Sequence, residues 1–514
     1  MRLVDYLDKG ASLGGDAPCL VCDGRTLTYG EVRGLADRIA SALAGRGVAP
    51  GDKVAVLASN DPVAFTCVFG ISRAGAVWCP INPRNEAAEN RELLDLFECT
   101  TLVFQASYAG LVDQVRGDLP AVTTLVCLDG AVDWALGWEE FLACGVEPVD
   151  RPADDDLAMI VGTGGTTGRP KGVMLTGTNL ETMTALTLIG YPWPARPARP
   201  TYLALAPLTH AAGVLCFPVL ASGGSIVVMR APDVGGFLAA IAEHRVTHTF
   251  LPPTLVYMVL DHPDLDATDL SSLQCFWYGA APMSARRLEE ALTRVGPVMA
   301  QLFGQTEAPM MISTMAPSDH FRDDGSIAVE RLSSAGRPAP LVTVAVMDDE
   351  GRLLPDGERG EIVVRGSLVM RGYYKNPAAT AEASAYGWHH TGDIGYLSTD
   401  PGDEGFLHIV DRAKDMVITG GFNVYSTEVE QALMAHPAVA DCAVVGLPDD
   451  KWGERLTAVL QLRPGQSVLA AEVQAFVKER IGSVKTPKQV EVWEDLPRSK
   501  VGKVLKTEIK KQLA

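Results

Sequence analysis

Between residues 29 and 129 the spacing of apolar positions switches back and forth between two periods. In "TYGEVRGLADRIASALAGRG" they recur every three to four residues and the stretch ends on glycine, which predicts an amphipathic helix. "DKVAVLAS" is a short continuous apolar run and predicts a buried strand; "DPVAFTCVFGISRAG" returns to helix and "AVWCPIN" to strand. The rhythm repeats from about 234 to 302: "VGGFLAAIAEHR" as helix, "VTHTFL" and "LQCFWYG" as strands, then "SARRLEEALTRVG" as a helix with Ser284 at its cap. Helices alternating with strands apolar on both faces imply parallel sheets covered by helices.

After about 335 the pattern changes. "LVTVAVMDDEGRLLPDGERGEIVVRG" reads as strands joined by Asp/Gly turns, an antiparallel β unit. Beyond "DRAKD" (411–415) lies an α+β segment of about one hundred residues. Its helix opens at "STEVEQAL", where Thr427 and Glu430 match a capping box, and its strands include "CAVVGL" and "LTAVLQL". The expected fold is therefore α/β: a large N-terminal domain of layered α/β subdomains with a small β unit, followed by an α+β C-terminal domain.

Composition removes several classes of function. With 44 basic and 63 acidic side chains the net charge is −19, which repels nucleic acid and anionic membranes. The N-terminal "MRLVDYLDKG" carries Asp5 and Asp8 and has no signal-like apolar core. The uncharged run Thr201–Met229 is broken by Pro207, Pro218, Gly223 and Gly224, so it predicts a helix, an "ASGGS" turn and the strand "IVVM", not a membrane span. Ten cysteines in 514 residues make no disulfide framework, and Cys19 and Cys22 read as two strand positions, not as a metal site. The expected compartment is reducing and cytoplasmic.

One stretch asks for chemistry. "VGTGGTTGRPKGVML" (161–175) holds five glycines, three threonines and Lys171 between apolar flanks. Bare backbone turns sharply and aims successive N–H groups at one anion, while Thr163, Thr166, Thr167 and Lys171 add hydroxyls and charge. It is neither Gly-Lys-Ser/Thr nor G-x-G-x-x-G. Further motifs follow in order: "PLTHAAG" (207–213), "YGAAPMS" (278–284), "FGQTE" (303–307), "GWHHTGD" (387–393), "DRAKDMVITGGFNVYSTEVE" (411–430) and "PRSKVGK" (497–503). Together they resemble the acyl-adenylate-forming superfamily over nearly the whole chain, in its acyl-CoA synthetase branch.

That resemblance implies an N-terminal nucleotide- and acyl-binding domain (1–411), a mobile C-terminal lid (412–514) and a hinge at Lys414. It implies ATP, Mg²⁺ and CoA as cofactors and a small carboxylic acid as substrate. Thr163, Gly164, Gly165, Thr166, Thr167, Gly168 and Lys171 would cradle the departing phosphates. Gly279, Ala280, Ala281 and Pro282 would lie along adenine and the acyl tunnel. Phe303 stands where the family usually has tyrosine and would stack on adenine. Gly164 replaces a common serine. Gly304 would leave room beside the acyl group, Thr306 would bond the α-phosphate, and Glu307 would be the metal's protein ligand.

By the same resemblance, Asp393 would hold the ribose hydroxyls with Arg412 beside it. Lys503 would neutralise charge during adenylation. Gly420, Gly421 and Phe422 would meet the CoA pantetheine after the lid rotates. His210, Ala212, Gly213 and Tyr278 are expected at the acyl pocket. Amino-acid-activating relatives carry an aspartate near His210 to pair the substrate ammonium; none stands in "LTHAAGV", which favours a simple acid.

Three alternatives stay open: an acyl-AMP ligase loading a carrier protein, an amino-acid adenylation enzyme, and a non-catalytic nucleotide-binding relative. Oligomeric state, homodimer included, is open too.

Overall fold

The computed structural model describes residues 1–152, 155–163, 170–420, 422–499 and 504–513. Two large sheets form the body. In the first, strands Val77–Ile81, Lys53–Leu57, Cys99–Phe104 and Thr124–Cys127 run parallel, as their continuous apolar runs predicted. At one edge Leu157–Thr163 joins parallel to Val77–Ile81, and Lys171–Thr176 pairs antiparallel with it. In the second, Thr201–Ala204, His248–Leu251, Cys275–Gly279 and Met299–Gln305 run parallel, and Ala308–Met315 turns back beside the last.

Helices Leu3–Leu13, Tyr29–Gly45 and Pro62–Arg73 fill the space around the first sheet. Thr28 and Glu31 close the capping box of the second helix reciprocally, a device that stabilises by about 1 kcal/mol. Buried Arg73 ties the three helices together through Asp8 at 2.6 Å and Asp37 at 2.8 Å.

The run Thr201–Met229 folds as strand, two short helices and strand Ser225–Val228, with Gly223 at φ +72° in the turn. Among the described residues no helix is long and apolar enough to cross a membrane. Cys19 and Cys22 are buried on strand Pro18–Cys22.

The antiparallel unit expected after 335 is a five-stranded sheet in the order Leu353–Leu354, Thr343–Met347, Gly360–Arg365, His389–Leu397, Leu407–Arg412. The chain then changes sheets between Arg412 and Val417. The C-terminal unit pairs Val439–Asp449 with Gly453–Leu462, adds the hairpin Val417–Thr419/Phe422–Val424, and packs helices Ser426–Met434 and Ala470–Ile481 on one side. Tyr257 of the body packs against that unit's core, and Arg359 lies over Tyr425.

Two expected caps are corrected. Ser284 does sit at the N-cap of Ala285–Arg294, but its side chain caps nothing; its N–H instead donates to the Tyr257 hydroxyl at 2.8 Å. Thr427 and Glu430 do not form a capping box, because the helix begins one residue earlier, at Ser426. Glu430 points inward and accepts from the Val444 N–H at 2.8 Å, so tertiary partners took both side chains.

Candidate functional site

The strongly polar sequence motifs converge where the two body sheets meet the antiparallel unit. The described stem of the glycine loop is a hairpin that pairs Thr163 with Lys171. Gly164, Gly165, Thr166, Thr167 and Gly168 lie outside the described residues. Next to the stem, Lys171 Nζ sits 4.8 Å above the Tyr373 ring, and the Tyr373 hydroxyl donates to Glu307 Oε1 at 2.8 Å. The Met370 N–H donates to the Glu307 carbonyl at 2.7 Å, fixing that residue's backbone as well. Burial, reinforced by the Glu307 charge, raises the Tyr373 pKa, so the phenol stays protonated and keeps donating.

Glu307 follows Thr306 in the turn joining Met299–Gln305 to Ala308–Met315. Gly304 is required in this hairpin. A Cβ there would lie 2.4 Å from the Met310 nitrogen and 2.7 Å from the Ala308 oxygen, at the irregularity between Phe303 and Gln305. Phe303 packs at the margin of the main core. Ala280, next to the close strand contact at Gly279, takes φ +66°, and Met310 takes φ +65°. Left-handed backbone at a residue with a Cβ costs about 1 kcal/mol or more.

Asp393, 3% exposed, pairs with Arg412 Nε at 2.6 Å across the two neighbouring strands that carry them. The turn that presents Asp393 is held from strand Gly360–Arg365. Glu361 accepts from the Gly392 N–H at 2.8 Å and contacts His390 Nδ1 at 2.7 Å, while Thr391 Oγ1 donates to the Ile362 carbonyl at 2.7 Å. Gln305 Nε2 reaches the Thr391 carbonyl at 3.4 Å, joining "FGQTE" to "TGD". Lys414 lies close enough to feel Asp393 and Arg412, and burial lowers its pKa.

On the acyl side, His210 stands at the start of the short helix Ala211–Val214 with Nδ1 2.8 Å from the Thr209 hydroxyl. Burial, with the Arg84 charge adding to it, lowers its pKa, so the imidazole is neutral at pH 7. Ala212 and Gly213 are buried behind it, and a Cβ on Gly213 would strike the Leu208 carbonyl at 1.9 Å.

Tyr278 goes elsewhere. Its ring is fully buried among Phe276, Leu288 and Met299, with its hydroxyl 3.0 Å from His320 Nε2. Alternation along Cys275–Gly279 sends Trp277 to the opposite face, into the core that contains Ala212. The structure therefore does not join Tyr278 to His210, because a one-residue step on a strand reverses the side chain.

In the C-terminal unit, Gly420 takes φ +58°, donates to the Trp452 carbonyl at 2.7 Å, and would place a Cβ 3.2 Å from the Trp452 ring. Phe422 is 59% exposed on the same hairpin. Gly421 and Lys503 lie outside the described residues. Tyr373 and Glu361, both central here, were not singled out in the sequence. Each sits in a short polar-flanked stretch ("RGYYKN", "RGEIVV") without a periodic signal to mark it.

The arrangement combines a buried carboxylate paired with a half-buried guanidinium, a carboxylate with one oxygen held by a phenol, and a lysine over that phenol's ring. It suits a phosphorylated nucleotide. The AMP-binding enzyme model matches residues 7–374.

The chain belongs to the AMP-binding enzyme family.

The model of that family's C-terminal domain matches residues 428–503. Among curated relatives, a medium/long-chain fatty-acid–CoA ligase from Mycobacterium tuberculosis is 38% identical over 506 residues, covering 95% of this chain and 86% of its own. A feruloyl-CoA synthase from an Amycolatopsis species is 38% identical, covering 95% and 94%. A fatty acid–[acyl-carrier-protein] ligase from Streptomyces coeruleorubidus is 33% identical, covering 96% and 93%. The solved amide bond synthetase from Marinactinospora thermotolerans superposes over 100% of both chains with a TM-score of 0.89 at 29% identity. The chain is thus an adenylate-forming member of the acid–CoA ligase family, with the α/β fold expected of it.

Proposed function

We infer that this protein is an acyl-CoA synthetase that activates a carboxylic acid with ATP and passes the acyl group to CoA. The observation that supports this reading is a pair of polar clusters, Asp393–Arg412 and Lys171–Tyr373–Glu307, linked through the contact of Gln305 with Thr391. The ionised Asp393 accepts hydrogen bonds from a ribose diol, and Arg412 restrains it. Lys171 and the residues of the glycine loop would hold the departing pyrophosphate, and Thr306 would bond the α-phosphate. The substrate carboxylate attacks the α-phosphorus; the new C(O)O–P bond forms as the bond to pyrophosphate breaks. Two anions approach each other, so Lys503 supplies the neutralising charge.

Glu307 suits Mg²⁺, since the Tyr373 hydroxyl holds Oε1 and leaves the second oxygen for a hard cation, whose bound charge would screen the phosphates. In the second half-reaction the CoA sulfur bonds to the acyl carbonyl, and AMP leaves with the electron pair of the broken acyl–oxygen bond. That step uses Gly420, Gly421 and Phe422 after the C-terminal unit turns about Lys414. The neutral His210 lines an acyl pocket that takes a medium-chain, alicyclic or aromatic acid without an ammonium group. The protein acts in the cytoplasm. A carrier-protein thiol as acceptor is the second reading, favoured by the similarity to a carrier-protein ligase.

The test is a panel of acids scored by AMP release with Mg-ATP and either CoA or a phosphopantetheinyl carrier protein. CoA-dependent release with at least one acid supports the assignment. Release with carrier protein alone replaces it, and no pyrophosphate exchange with any acid removes it.

A further inference from the structure

Asp411 closes the last strand of the body, one residue before Arg412. It is 3% exposed, yet its carboxylate is aimed across the hinge at the C-terminal unit. Asp411 Oδ2 accepts from both the N–H and the hydroxyl of Ser426, the latter at 2.8 Å, and the Thr427 hydroxyl reaches Oδ1 at 3.3 Å. These are the first residues of helix Ser426–Met434, whose N-terminal N–H groups favour an anion.

The Ser426 hydroxyl also accepts from Lys506 Nζ at 2.5 Å, and Lys506 pairs with Glu430 at 2.8 Å. One hydroxyl thereby joins a carboxylate of the body to an ammonium of the C-terminal tail. Glu430 and Asp411 together raise the Lys506 pKa despite its burial, so the ammonium keeps its charge.

Position along the chain gives this cluster its meaning. Asp411 precedes Lys414, whereas Ser426, Glu430 and Lys506 follow it. Lys506 comes three residues after Lys503. The ends of the stretch 499–503 are joined by the bridge between Arg498 and Val504 and by the Leu505 N–H donating to the Pro497 carbonyl at 2.8 Å. On the other side, Arg412 pairs with Asp393. The cluster thus connects the base of the lysine-bearing stretch to the strand that carries Asp411 and Arg412 through a chain of polar contacts. A turn about residue 414 carries Ser426 and Lys506 away from Asp411, leaving a desolvated carboxylate that must rehydrate.

We propose that Asp411, Ser426 and Lys506 form a latch across the hinge that holds the C-terminal unit in its adenylating orientation and opens before thiolation. This rests on the two-step reading above. In it, Asp411, Ser426 and Lys506 are positioning residues that touch neither substrate.

The test uses the full-length Ser426→Ala and Ser426→Thr variants, with Asp411→Asn as an independent break. With an acid found active in the panel, Ser426→Ala is expected to slow acid-dependent pyrophosphate exchange roughly tenfold. Thioester formation from supplied acyl-adenylate should be unchanged or faster. Ser426→Thr, which keeps the hydroxyl, should restore exchange. An equal loss in both half-reactions, or no loss of exchange, overturns the latch. A second readout does not depend on the chemistry: tryptic cleavage at the exposed Lys414. It should accelerate several-fold in Ser426→Ala and Asp411→Asn at unchanged Tm, and an unchanged cleavage rate also overturns the latch. Faster cleavage in a protein that exchanges no pyrophosphate with any acid would leave the latch standing and remove the proposed function.

Discussion

The surroundings of Asp393, proposed to hold the nucleotide, and of His210, proposed to line the acyl pocket, are built by different physics. Around Asp393, position is set by directed polar contacts: Arg412 at 2.6 Å, and Glu361 holding both Gly392 and His390. Each such bond depends on one side chain of one chemical type. Around His210, position is set by packing: Gly213 lies too close to the Leu208 carbonyl to admit a Cβ, and Ala212, Leu208 and Trp277 share one buried core. Space can be shaped by many residue combinations, so this half tolerates variety. The difference separates what relatives of the chain share, a nucleotide reaction, from what they vary, the acid.

The largest expected effect falls where charge is densest. Lys503→Ala should lower acid-dependent pyrophosphate exchange by about a hundredfold to a thousandfold, the scale of losing one charge stabiliser in a transition state. Thioester formation from supplied acyl-adenylate should stay within about twofold. Equal loss in both steps would remove Lys503 from adenylation and blur the division between the halves.

Asp393→Asn should raise the KM for ATP roughly tenfold to a hundredfold, since a charge-assisted pair is worth about 1.5–3 kcal/mol. The factor should be the same for every acid in the panel. An effect that varied with the acid would show the nucleotide half reaching into acyl selection.

Ala212→Val is the converse probe. Adding carbon to a packed wall should reorder the acids by about tenfold in kcat/KM while leaving the KM for ATP within about twofold. A uniform loss across all acids would count against an acyl-side role for Ala212.

The smallest effect concerns stability. Burial lowers the pKa of His248, stacked on Trp193, and of His320, bonded to Tyr278, to about 4 from an ordinary 6.5. Below pH 6.5 the unfolded chain takes up protons that these folded histidines refuse, so folding stability falls with pH until about 4. Each contributes up to about 1.4 kcal/mol per pH unit across that window. Urea unfolding at pH 7 and pH 5 should show the loss, and His320→Gln should reduce it; a slope unchanged by that substitution would assign the titration to other groups.

Much of the architecture was legible from local pattern. Parallel strands such as Val77–Ile81 and Lys53–Leu57 announce themselves because both faces are buried and every position is apolar. Asp393, Arg412 and Glu307 were legible as candidates through the motifs that carry them. Tyr373 was not, since its value lies in touching Glu307, 66 positions away. Glu361 was missed for the same reason, as its partners belong to a neighbouring strand. Tyr278 was placed in the acyl pocket from its neighbourhood in the chain, and strand alternation put it on the other face. Thr427 and Glu430 matched a capping box in spacing, but Asp411, Val444 and Lys506 offered them better partners.

The amino-acid sequence alone determined which segments become helix or strand, that the parallel layers precede an antiparallel unit and a small α+β unit, and which motifs of the adenylate-forming family the chain carries. Those properties depend on neighbours within a few positions, or on short motifs whose chemistry is local. Only the tertiary structure decided which face Tyr278 takes, which phenol steadies Glu307, and that Ser426 bridges Asp411 to Lys506. Each of these is a contact between distant segments. It is chosen by which partner best satisfies a buried polar group once the sheets are packed.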